Sequence, residues 1–129
     1  ILWHAGHACC VVEWCTMESL GRAAVYPDGW FEIFSGNRLA PQDVPPDQWP
    51  HLKTVIAALR DQRERLREVY ANLSESDLSA AARHRTQRTV RYMILHGFYD
   101  EAAHSGEMWL LRKLQRAADS PAPISEEQQ

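Results

Sequence analysis

Asp100 and His104 stand four residues apart in the run HGFYDEAAHSGEMWLLRK, His96 to Lys113. On a helix that spacing stacks a carboxylate above an imidazole on one face. Such a pair can share one divalent cation. The face continues through Val90, Met93, Gly97, Asp100, His104, Glu107, Leu111 and Leu114, and its alternating steps of three and four mark an inward-facing seam. Three ionisable groups in succession on a buried seam are costly without compensation. A bound metal ion is one compensation. An Asp100–His104 hydrogen bond, or a face wetter than the seam implies, is the other reading.

A second seam lies near the start of the chain, where Ile1 to about Arg22 reads as a helix. Its inward row is Trp3, His7, Cys10, Trp14, Met17 and Gly21. His7 is therefore a second core-facing histidine, while His4 falls beside the row with Ala8, Val11 and Cys15 and is the alternative to it. If the first and last helices are neighbours, His7, Asp100 and His104 converge. Three ligands with an open fourth position suit a reactive site and not a closed structural one, and an octahedral ion with waters is equally compatible. Glu107, one turn beyond His104, and His96, one turn before Asp100, are placed to orient ligands or handle protons. Two rival motifs fit less well. Asp100-Glu101-x-x-His104 resembles a metallopeptidase helix with its first histidine replaced, but Glu101 sits off the seam and no sheet is expected to shape a cleft. A di-iron carboxylate bundle needs a second Glu-x-x-His, which the chain lacks. Cys9 and Cys10 form a vicinal pair, and only Cys10 shares the row of His7.

Three long helices must position these groups. After the first, Val25 to Trp49 forms a connector that, with Pro50 at its end, holds five of the seven prolines, and its Asp28-Gly29 and Gly36-Asn37 pairs are turn signals. A connector this long packs over something, often as the rim of a site, with Trp30, Phe31 and Phe34 as anchors. Pro50 suits the first turn of the next helix, whose apolar positions are Leu52, Val55, Ile56, Leu59, Leu66, Val69, Tyr70 and Leu73. Ser74-Glu75-Ser76-Asp77 is expected to close it with local cap chemistry. A linker, Ser79 to Arg85, leads to the last helix at about Thr86 to Ala117. No strand is expected. Residues 1–118 form one helical domain and 119–129 a polar, frayed tail. Three helices with wide apolar faces require a fourth surface, from an upstream helix or from a second subunit, so a homodimer is expected.

Composition narrows the partners. A net charge of −3 on 129 residues gives no electrostatic footprint for nucleic acid or an anionic membrane. The arginines at 60, 63, 65 and 67 alternate with acids and read as a solvated face. Those at 83, 85, 88 and 91 could meet an anion. No apolar run approaches the roughly 18 residues that span a bilayer. The start lacks both an initiator Met and the charged region of a signal peptide, so the chain is expected to begin in mid-helix with residues upstream. Cys9, Cys10 and Cys15 lie within one helix and cannot form ordinary disulfides with each other. Reduced, buried thiols in a cytoplasmic protein follow.

TVRYMILHGFYDEAAHSGEMWLLRKL resembles the last helix of the DinB-like superfamily, in which His, Glu or Asp precedes a His by four residues, followed by a small residue, Gly, and Gln or Glu. Asp100, His104, Ser105, Gly106 and Glu107 follow that order. LWHAGHACCVVEW is similar to the family's other metal helix, a histidine before an acidic–aromatic pair. His7 with Glu13 and Trp14 fits best, and His4 is second. PDGWFEIFSGNR resembles the loop some members carry between these helices. The resemblance implies an all-α, antiparallel four-helix bundle with a long crossover, whose first helix would precede residue 1. It implies a divalent metal (zinc, nickel or iron) at one end of the interior, held by His7, Asp100 and His104. It also implies a small-molecule substrate, a low-molecular-weight thiol or thiol conjugate, in a transferase or isomerase reaction. The arginine-rich start of the last helix would then hold carboxylates of such a molecule. Asp100 departs from the common His at that position, with a shorter reach and an added charge. The competing reading is a non-catalytic dimeric bundle whose Asp–His cluster is a hydrogen-bond network.

Overall fold

Helix α1 (Leu2–Met17) continues as a 3-10 turn through Leu20. The computed structural model describes residues 1–36 and 40–119. A short helix α2 (Trp30–Phe34) interrupts the connector, followed by two 3-10 turns at Pro41–Asp43 and Pro46–Gln48. Next come α3 (Leu52–Ala71), the short α4 (Glu75–Ser79), strands β1 (Ala81–Ala82) and β2 (Arg85–Thr89), and α5 (Val90–Ala118). The architecture is an all-α bundle with one small hairpin, as the sequence leads one to expect for the class.

Helix α1 is the central element. Its buried residues are Gly6, Ala8, Cys9, Cys10, Val12, Glu13, Cys15 and Thr16, too many adjacent positions for a single stripe. A helix that is apolar nearly all round belongs inside, and α1 packs against α2, α3 and α5. Helices α1 and α5 run antiparallel: Gly97 lies against Val12 and Cys15, and His104 against His4. Helices α1 and α3 run parallel, because Gln62 meets Cys9, Arg65 meets Glu13 and Tyr70 meets Thr16. The connector makes this possible by running back along α1. Its Phe34 ring seats on Gly6, and Trp49 packs edge-on to Phe34 at 6.0 Å. One apolar cluster joins Cys9, Cys10, Trp30, Ile33, Phe34, Val44 and Val55, and a second joins Cys15, Ala82 and Met93.

A buried carboxylate locks α1 to α3. Glu13 is fully buried and accepts from Arg65 Nη1 at 2.8 Å, from Gln62 Nε2 at 3.2 Å and from the Val25 amide at 3.0 Å. Filling the lone pairs in this way is what makes such burial tolerable. Arg65 and Arg63, the latter 2.6 Å from Glu101 on α5, thus tie helices together from a face on which Arg60, Arg63 and Arg67 stay exposed. Glu101 belongs to that tie and is half-buried.

Three local expectations change. Ser74 opens a helix and does not close one: its hydroxyl accepts from the Asp77 amide at 3.1 Å while Asp77 accepts from the Ser74 amide at 2.9 Å, a capping box that starts α4. The segment expected as linker and helix start pairs as an antiparallel hairpin, with Ala81 opposite Thr89 and Ala82 opposite Arg85. Consequently α5 begins at Val90, where the Thr89 hydroxyl accepts from the Tyr92 amide at 3.2 Å, an N-cap. Finally, the α5 seam is buried only as far as Gly97; Glu107 and Leu114 are exposed. Of the expected tail, only Asp119 falls among the described residues.

Candidate metal centre

Two glycines set the distances between the helices that carry the polar groups. A Cβ on Gly97 would lie 3.2 Å from both the Cys15 Cβ and the Val12 Cα, so hydrogen at this position lets α5 press onto α1. Asp100 and His104, one and two turns further along, then face the first two turns of α1. A Cβ on Gly6 would lie 2.4 Å from the Phe34 ring. Its absence lets α2 dock with its last carbonyls over the same end. Helix C-termini leave such carbonyls without intrahelical partners. Here Ile33 O accepts from Trp3 Nε1 at 3.1 Å and Phe34 O accepts from His7 Nδ1 at 2.6 Å.

Those hydrogen bonds decide the tautomers. A carbonyl only accepts, so Nδ1 of His7 carries the proton and Nε2 presents a lone pair. His104 Nδ1 lies 2.5 Å from Glu107 Oε2, a carboxylate oxygen, which likewise leaves Nε2 of His104 as an acceptor. Both Nε2 atoms lie 3.6 Å from the same oxygen, Asp100 Oδ2. That oxygen is buried and has no hydrogen-bond partner among the described residues. At 3.6 Å neither imidazole hydrogen-bonds the carboxylate. Three acceptor atoms thus converge with no donor between them, an arrangement that suits a cation. His7, Asp100 and His104 each offer one ligand atom, all within 4.8 Å of one another.

Around these atoms the rings are held in place. Trp3 stacks on His7 with centroids 4.6 Å apart and meets His104 edge-on at 5.9 Å. His4 belongs to a different group. Its Nδ1 is 2.9 Å from both Glu107 Oε2 and His104 Nδ1, on the edge of His104 that faces away from Asp100. Glu107 Oε2 is at hydrogen-bond distance from both Nδ1 atoms, so it accepts from His104 and from His4 and orients both rings. The hydrogen bond from His104 holds the Glu107 carboxyl below the ordinary range. Burial pulls His4 below the usual imidazole value, partly opposed by Glu107.

A cavity of about 320 Å³ opens beside the triad, walled by His7, Asp100, Cys10, Cys15, Arg85 and His96 among others. His96 therefore reaches the cavity but not the cluster, and its ring stacks on Tyr92 at 6.3 Å. Glu107 is the reverse case: it reaches the cluster but does not wall the cavity. Of the four clustered arginines only Arg85 faces this space. Arg91 pairs with Glu75 at 2.6 Å and Arg88 lies over Tyr92 at 4.4 Å, while Arg83 packs beside Gly21. The three thiols are free and buried. Burial holds Cys9 and Cys10 up to about 12 and Cys15 to about 11, so they are poor candidates for ionised ligands.

Residues 1–108 match the DinB superfamily. The chain belongs to that family. Comparison with curated proteins and with solved structures gives no match. The DinB-superfamily match covers α1 and the part of α5 up to residue 108, one past Glu107. Two features of this DinB-superfamily chain are absent from the reading of its sequence above. The Phe34 carbonyl that orients His7 is a backbone group with no residue signature. The Trp3–His7 stack was legible in principle, since the two residues are i, i+4 neighbours on one row.

Proposed function

We propose that this DinB-superfamily protein binds one divalent ion, zinc, nickel or iron, through Nε2 of His7, Oδ2 of Asp100 and Nε2 of His104. We further propose that it is a cytoplasmic enzyme transferring or isomerising a low-molecular-weight thiol or its conjugate. The observation that carries the metal reading is the buried, unpartnered Asp100 Oδ2 facing two imidazole lone pairs at 3.6 Å. A purely hydrogen-bonded network would require a proton between them at closer range. Two neutral nitrogens and one carboxylate match the ligand preferences of these ions. Bound there, such an ion lowers the pKa of a thiol or water that it holds, giving a nucleophile at neutral pH.

The protein's own groups divide the remaining work. Phe34 O and Glu107 keep the protons of His7 and His104 on Nδ1, so both Nε2 atoms stay available. Trp3 covers the His7 face and excludes water from it. His96, on the cavity wall beside Asp100, is the group placed to accept a proton from a substrate. The cavity itself is of the size that admits a small molecule.

Metal content tests the reading. Protein purified without a histidine tag should hold one equivalent of metal, and His104→Ala and Asp100→Ala should each lose it. A parent that is empty and resists loading refutes the site. A panel of thiols assayed with the loaded protein then tests the reaction.

A further inference from the structure

His104 presents one nitrogen to each of two clusters of ligand atoms. Its Nε2 faces Asp100 Oδ2 at 3.6 Å and its Nδ1 faces Glu107 Oε2 at 2.5 Å. On the Nδ1 side, His4 Nδ1 completes a triangle, 2.9 Å from His104 Nδ1 and 2.9 Å from Glu107 Oε2. Protons cannot satisfy all three sides of that triangle. The Glu107 carboxyl is held below its ordinary range by the His104 hydrogen bond, so its oxygen only accepts. If both Nδ1 atoms donate to it, two N–H groups abut at 2.9 Å. If one nitrogen accepts from the other instead, its lone pair faces the carboxylate. A single cation in front of the triangle makes all three contacts favourable. The dimensions suit octahedral coordination: ligands at right angles on bonds of about 2.0–2.1 Å lie about 2.9 Å apart, whereas tetrahedral ligands lie about 3.4 Å apart. The Glu107 side chain is 52% exposed, which leaves room for waters at the remaining positions.

We propose a second divalent-cation site made of His4 Nδ1, His104 Nδ1 and Glu107 Oε2, so that His104 bridges an inner and an outer ion as an imidazolate. The bridge rests on the inner-ion reading above, while the outer ligands include neither His7 nor Asp100. On binding, the outer ion displaces the Nδ1 proton of His104 to solvent, and neutral His4 moves its proton to Nε2. Charge permits the pair. Two ions bring four positive charges, and the Asp100 and Glu107 carboxylates with the imidazolate offset three of them. The inner site fills first, because the outer ion enters against the charge of the inner one and must displace a proton.

Zinc is the probe. Protein holding one equivalent is dialysed against rising zinc at about pH 8, above the ordinary imidazole range, and bound zinc is measured at each step. A second equivalent should enter at about a hundredfold more free zinc than the first. In protein labelled with 15N-histidine, the Nδ1 atoms of His104 and His4 should leave the protonated-nitrogen range as it enters. His4→Phe keeps a ring in place and removes both nitrogens. It should hold the first equivalent, refuse the second, and keep the proton on His104 Nδ1. No second equivalent in the parent, a second that leaves His104 Nδ1 protonated, or a second that His4→Phe still takes overturns the proposal. One equivalent that depends on Asp100, with no second, overturns this inference alone. A first equivalent that survives Asp100→Ala overturns the inner-ion reading and the bridge with it.

Discussion

Asp100→Asn separates what the triad costs the fold from what it contributes to binding. In metal-free protein the buried Oδ2 faces two lone pairs at 3.6 Å and accepts no hydrogen bond. A buried acceptor left unmade costs about 1–3 kcal/mol. The Asp100 side chain is 26% exposed, so we take the lower part of that range, about 1 kcal/mol. Asparagine has nearly the same shape, carries no charge, and can turn its amide N–H toward either Nε2. Without metal the variant should therefore be more stable than the parent by about 1 kcal/mol. With metal the order should reverse. Free ion at 100 times its dissociation constant stabilises the parent by about 2.7 kcal/mol, and the variant, lacking the anionic ligand, should gain little. Urea unfolding followed by circular dichroism, in chelator and in excess metal at about pH 8, reads both differences. A variant less stable than the parent in chelator would show that the carboxylate already has a favourable partner. A variant that keeps the parent's full metal-dependent stabilisation would show that the ion binds elsewhere. Either result refutes the reasoning.

Three further outcomes are expected. Gly6→Ala forces a methyl to within 2.4 Å of the Phe34 ring; it should cost about 1–3 kcal/mol of stability by overpacking and weaken metal binding by displacing the carbonyl that orients His7, as unfolding and metal titration can check. Glu107→Gln removes the carboxylate beside His104 Nδ1 on an exposed side chain; metal affinity should fall by about 10- to 100-fold with the unfolding midpoint of the metal-free protein nearly unchanged. The buried thiols, raised from 9.0 to about 12, about 12 and about 11 at Cys9, Cys10 and Cys15, favour a folded state that holds more protons than the unfolded one. Their contribution is fully present below pH 9 and is lost as pH rises toward 12, so chelator-treated protein should lose stability across that window, and Cys10→Ser should lessen the slope.

Periodicity and ligand chemistry were legible along the chain. The rows containing His7, Asp100 and His104 could be read from three-and-four spacing, because helical side chains at those steps share a face whatever the helix packs against. The same arithmetic misjudged how wide or how long each buried face is. On α1 it marked one stripe, yet Cys9, Val12 and Glu13 are buried too, since three neighbours surround that helix. On α5 it extended the seam to Leu114, which is 58% exposed in the described structure. Ser74 through Asp77 carried the right chemistry and the wrong direction, because a capping box opens a helix whereas a linker composition suits either end.

His4 and His7 show most clearly where sequence stops. Both stand on the first two turns of α1, three residues apart, and side-chain type favours neither. Spacing preferred His7, whose Nε2 lies 3.6 Å from Asp100 Oδ2. Only the tertiary structure assigned His4 a separate place against Glu107 and chose which nitrogen of each ring faces inward. That choice depends on Phe34 O and Glu107 Oε2, partners brought in by a crossover that doubles back along α1 and by the antiparallel approach of α5. Helical periodicity is a local property and follows from residue order; the direction of a lone pair follows from contacts between residues far apart in the chain.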